Sequence, residues 1–82
     1  MRSHNLLEKL SAISFDETDV ASRKLNRMII GNPTLAEDIV RYFRAETGRP
    51  MPIVRKTYKG VPASAKKTLD RLAHDKLCVL PV

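Results

Sequence analysis

The chain has 82 residues, 43% of them hydrophobic, with five prolines and three glycines; this fills one core, excludes a two-domain enzyme, and is not the composition of a low-complexity or collagen-like chain. Fifteen Lys and Arg against nine Asp and Glu give a net charge of +6, a bias toward polyanionic partners or an anionic membrane surface. A single cysteine, Cys78, excludes an internal disulfide and a multi-cysteine zinc site and points to a reducing compartment, with the cytoplasm as the expected location.

Leu6, Leu7, Leu10 and Ile13 recur at helical spacing, so a first helix is expected near residues 4–13 with Ser3 as its N-cap. The apolar stretch of a signal peptide does not develop after Met1-Arg2-Ser3-His4, because Asn5 and Glu8 interrupt it. Phe15-Asp16-Glu17-Thr18-Asp19-Val20 reads as a second helix start, with Asp16 as cap and Phe15 and Val20 placed for a hydrophobic staple. That helix turns Val20, Leu25, Met28 and Ile29 inward and is expected to stop at Gly31 through a left-handed residue. Asn32-Pro33-Thr34 restarts the chain, and Thr34 with Glu37 fits a capping box. A third helix follows over about 34–46, burying Leu35, Ile39, Val40 and Phe43, with Glu37 and Arg41 one turn apart on its wet face.

Gly48 stops it, and Pro50 and Pro52 hold the next segment extended. A short helix is expected from Ile53 to Lys59, a tight connection at Val61-Pro62-Ala63, and a fifth helix over about 63–75 whose inner face is Ala65, Leu69, Leu72 and Lys76. Residues 77–82 suit a short strand, kept at an edge by Pro81. No run of apolar residues approaches the roughly 20 that span a bilayer, so no membrane partner is expected. The fold class is therefore mainly α: five short helices with a helix-turn-helix and a short C-terminal strand. Residues 1–82 are read as one domain, a helical pair over 1–31 followed by a core over 33–82.

The charge is not spread evenly. Residues 1–48 hold seven basic and seven acidic side chains, whereas residues 49–82 hold eight basic and two acidic ones. The whole excess lies in the second segment, as though a neutral scaffold carried a segment that meets a polyanion. On a helical wheel Ala65, Leu69 and Leu72 share one sector, while Ser64, Lys67, Thr68 and Arg71 share another. Two cations and two hydroxyls on an outward strip suit the major groove, where Arg bonds both acceptors of guanine and Lys reaches base or phosphate. Lys66 on the same helix is a further candidate DNA contact, Arg55, Lys56 and Lys59 on the preceding helix are placed for phosphates, and Arg49 and Lys76 flank the pair.

From Pro52 to Leu77 the sequence resembles the winged helix-turn-helix superfamily, in the version seen in MarR-type regulators. The features that carry the likeness are Gly60-Val61 at the turn and Ser64, Thr68, Leu69, Arg71 and Leu72 on the following helix, with Leu77 opening the wing. The resemblance implies that the helix at 63–75 enters the major groove of double-stranded DNA and that the helix before it crosses the phosphate backbone; the helices of 1–31 either thicken the core or, the favoured expectation, pack against a second copy so that a dimer binds two half-sites. A full wing needs a second strand beyond Leu77. Either the wing is reduced to one strand that pairs with residues 51–53, or the sequence is a fragment.

His4 and His74 are too far apart in sequence to read as a ligand pair, and Cys78 lacks a catalytic partner signature. No metal, no cofactor and no enzymatic activity are expected. The aromatic residues Phe15, Tyr42, Phe43 and Tyr58 read as core or core-edge side chains. The leading expectation is a small sequence-specific DNA-binding regulator. Its rival is a protein-interaction adaptor or inhibitor module, in which the same fold sets its basic face against an acidic protein partner.

Overall fold

A short helical stretch at 8–11 (α1) and the helix Thr18–Gly31 (α2) lead into a 3-10 turn at Pro33–Leu35 and a helix Ala36–Thr47 (α3). The strand Met51–Pro52 (β1) follows, then helices Arg55–Gly60 (α4) and Ala63–His74 (α5), and finally the strand Cys78–Val79 (β2). The computed structural model describes residues 8–82. The expected first helix is seen there only as α1, and its Ser3 cap and the apolar Leu6 and Leu7 lie outside the described residues. The protein is mainly helical, with one two-stranded sheet.

β1 and β2 pair in parallel, Met51 opposite Cys78 and Pro52 opposite Val79. Parallel neighbours need a crossover longer than a hairpin turn, and the α4–α5 pair supplies it. The sheet bonds run from Met51 N–H to the Leu77 carbonyl (3.1 Å) and from Ile53 N–H to the Val79 carbonyl (2.8 Å). Pro52, between them, occupies the position whose backbone groups point away from β2, so its missing N–H costs the sheet nothing. The reduced strand expected to pair with residues 51–53 is therefore present as β2.

The core is one cluster drawn from α1, α2, α3 and α5, the two strands and the segments beside α4. Leu25 and Ile29 of α2, Ala36, Ile39, Val40 and Phe43 of α3, and Ala65, Leu69 and Leu72 of α5 enclose Met51, Ile53, Val61 and Cys78. Leu10 closes one end. These helical positions follow the three- and four-residue apolar spacing read from the sequence. Phe15 lies against Tyr42 and Phe43, both ring centroids at 5.9 Å, which holds the segment before α2 onto α3.

Several helix ends differ from the expected ones. α2 begins at Thr18 with Glu17 in the cap position and no side-chain cap bond; Asp16 turns back, its N–H donating to Ser14 Oγ, and Phe15 spends its ring on α3 rather than on a staple with Val20. Gly31 is not left-handed. It is the last residue of α2, and the chain turns at Asn32, whose N–H and side-chain Nδ2 both donate to the Met28 carbonyl. The capping box of Thr34 and Glu37 does not form: Pro33–Leu35 is a separate 3-10 turn, α3 begins at Ala36, and the Glu37 carboxylate is taken by two arginines. α4 begins at Arg55 rather than Ile53, because Ile53 is engaged with β2. Gly48 does end α3 in the left-handed region, at φ 69°.

Lys76, expected on the inner face of the fifth helix, lies past its end. α5 closes with Leu77 N–H on the Leu72 carbonyl (2.8 Å) and Lys76 N–H on the Ala73 carbonyl (3.0 Å). This pair of bonds is the Schellman pattern, and it puts Lys76 at φ 66°. Leu77 thereby turns straight from the helix into β2.

Candidate nucleic-acid interface

α4 and α5 are joined by Val61-Pro62, and buried Val61 seats that connection in the core. A second clasp holds the pair from outside. Tyr58 Oη donates to Asp70 Oδ1 at 2.9 Å, and the Lys66 ammonium stands 5.7 Å over the Tyr58 ring. The Asp70 bond raises the Tyr58 phenol above its ordinary value, with desolvation adding to it. Asp70 is the only carboxylate within α4 and α5, so this clasp also occupies the one negative group on the pair.

The outward face of α5 is set by its buried face. With Ala65, Leu69 and Leu72 turned inward, the exposed residues Ser64, Lys67, Arg71 and His74 recur at intervals of three, four and three and form one stripe. Three of the four strip residues read from the sequence are on it. Thr68 is half-buried at its margin, and its hydroxyl donates to the Ser64 carbonyl at 3.2 Å. His74 joins the stripe as the last residue of α5, three positions past Arg71; the signal was its i, i+7 spacing from Lys67.

Arg71 is positioned from α3. Its Nη2 meets Glu37 Oε1 at 2.6 Å, while Arg41 Nε meets Glu37 Oε2 at 2.9 Å. The hydrogen bond from Arg71, followed by that from Arg41, lowers the Glu37 carboxyl below its ordinary value. Two guanidiniums share one carboxylate, so the cluster keeps a net positive charge. Of the five N–H donors of Arg71, one is used here, and the others stay available on an exposed side chain.

The cations of α4 do not form one strip. Arg55 Nη2 donates to the Val82 carbonyl at 2.6 Å and ties down the segment after β2. Thr57 is buried, which places Lys56 and Tyr58 on opposite flanks of α4, about 200° apart around the helix. Tyr58 faces α5. Lys56 faces α2, where it lines a groove with Arg23 and Arg27. Lys59 is exposed and unengaged by hydrogen bond or ion pair among the described residues, and Arg49 is exposed in the link after Gly48.

The polar residue that positions all of this was not evident as functional in the sequence. Asn26, on the otherwise apolar face of α2, is 2% exposed. Its Nδ2 donates to the carbonyls of Pro52 (2.9 Å) and Ser22 (2.7 Å), and its Oδ1 accepts from Val54 N–H (3.0 Å). Pro52 presents its carbonyl to the amide and Val54 its N–H, the Val54 carbonyl being taken by Tyr58 N–H, so the amide has one orientation. Asn26 thus satisfies the outer edge of β1 and fixes where α4 starts. An Asn at i+4 from Ser22 on a buried face is the visible signal, since a buried polar group has to be answered by a partner.

Among the described residues no three His, Cys, Asp or Glu side chains come together, and no helix is long and apolar enough to cross a membrane. Cys78 is buried under α5, its thiol facing the Leu69 carbonyl, and burial pushes its pKa up to about 11. Comparison with protein-family models, curated proteins and solved structures finds no match to this chain.

Proposed function

We propose that the chain is a small sequence-specific double-stranded DNA-binding protein, a transcriptional regulator that sets the exposed face of α5 in the major groove. One observation carries the reading: Ser64, Lys67, Arg71 and His74 form a single exposed stripe on a 12-residue helix, with Asp70 engaged by Tyr58 and Glu37 shared between Arg71 and Arg41. A helix of that length is about 18 Å long and about 10–12 Å across with its side chains, the width of the major groove. Arg71, held at the stripe's edge by Glu37, is the base-reading candidate; Lys59, Lys66 and Lys67 are the phosphate candidates. The resemblance of residues 52–77 to winged helix-turn-helix regulators supports the same docking. A wing-tip contact forms no part of the proposal.

A mobility-shift titration on random and selected duplexes at several salt concentrations tests it. With about three phosphates neutralised, by Lys59, Lys66 and Lys67, the log–log slope of affinity against salt is expected near roughly −3. Arg71→Ala is expected to cost about 1–3 kcal/mol on a selected site and to relax its sequence preference, whereas Lys67→Ala weakens all duplexes alike. Absence of binding to any duplex at low salt would overturn the proposal.

A further inference from the structure

On the flank of α4 that faces away from α5, a half-open groove of about 450 Å³ runs between α2 and the start of α4. Arg23, Arg27 and Ile30 of α2 line it at helical spacing, and Val54 and Lys56 form the opposite wall. Ile30 and Val54 are 39% and 40% exposed, two of the four large apolar side chains left exposed among the described residues. No ion pair joins Arg23, Arg27 or Lys56 to a carboxylate among those residues. The floor is buried Asn26 and Thr57, which makes the groove a built feature rather than a gap between loose side chains.

We infer that this groove docks an acidic amphipathic segment of another protein, with an aliphatic or aromatic side chain between Ile30 and Val54 and carboxylates on Arg23, Arg27 and Lys56. Charge selects this occupant. The same groove of a second copy, in a two-fold pairing, would set three cations against three, and repulsion opposes it. Duplex phosphates would meet the cations but leave two apolar side chains against a hydrated backbone, where their burial gains little. An apolar anchor ringed by carboxylates satisfies both halves of the groove, and the helix-in-groove mode reads such anchors at spacings of three and four residues.

The inference does not depend on the DNA reading of α5, because the groove and the α5 stripe lie on different faces and are tested by different substitutions. A random-peptide library is selected on the full-length protein, and a retained peptide is synthesised with a fluorescent label for anisotropy titration. Retained sequences are expected to be rich in Asp and Glu around one or two large apolar residues. Arg27→Glu and Ile30→Ser are each expected to weaken binding at least about tenfold, while Lys67→Glu on α5 leaves it unchanged. All three positions are exposed, and circular dichroism confirms that each variant folds. The inference is overturned if no peptide is retained, if the retained peptides lack an acidic excess, or if Lys67→Glu weakens binding as much as Arg27→Glu. It is also overturned in favour of DNA on this face if duplex binding falls with Arg27→Glu and not with Lys67→Glu.

Discussion

Lys76 carries the clearest backbone strain in the chain. It is the only non-glycine residue with positive φ among those described, and it occupies the helix-ending position where glycine is normally found because a Cβ crowds the following carbonyl. Lys76→Gly is therefore expected to raise stability by about 1 kcal/mol in a denaturant melt. Asn26 is the opposite case, a polar side chain whose three bonds hold α2, β1 and α4 together. Removing it leaves the Val54 N–H without its protein partner and the Pro52 carbonyl with only the longer bond from Ser22 Oγ, at 3.4 Å. Asn26→Ala is expected to destabilise by about 1–3 kcal/mol, and amide exchange at Val54 is expected to accelerate more than exchange in α5.

At the scale of elements, α3 and α5 are linked through Glu37, which binds Arg41 along its own helix and Arg71 across the gap. Its folded pKa lies below the ordinary 4.5, so the ionised form favours the folded state. That contribution is present above the ordinary value and is lost as pH falls through the lowered one. Thermal melts should place the wild type above Glu37→Gln at neutral pH and low salt, with the two converging in acid and in high salt, because the groups are exposed and screened. Equal melting at all pH values would mean that the pair contributes nothing. The apolar spacing made α2, α3 and α5 and their buried faces legible in the sequence, since Leu25, Ile29, Ile39, Phe43, Leu69 and Leu72 each answer to a local period. Caps were less legible, because a partner distant in sequence competes for the same side chain. Glu37 suits a capping box by its spacing from Thr34, yet Arg71, 34 residues away, takes it. Likewise Lys56 and Tyr58 sit two positions apart in one short helix, and the burial of Thr57 between them sends one to the α2 groove and the other to α5.

Over the whole molecule, the basic half and neutral half seen in the sequence are redistributed by folding. The described residues pack into 28 × 27 × 21 Å, and Arg23 and Arg27 from the neutral half join Lys56 from the basic half at one groove. The +6 charge therefore resolves into an α5 stripe with few acids near it and a separate cationic groove with an apolar centre. In the proposed reading these are two surfaces with two partners, DNA on α5 and an acidic protein segment between α2 and α4. The most direct measurement is an NMR titration of the isotope-labelled chain with a short duplex, following backbone amides. The account predicts the largest shifts at residues 63–74 and Lys59, with Arg23 to Ile30 little changed. Shifts confined to the α2–α4 groove, or no shifts at low salt, would contradict it.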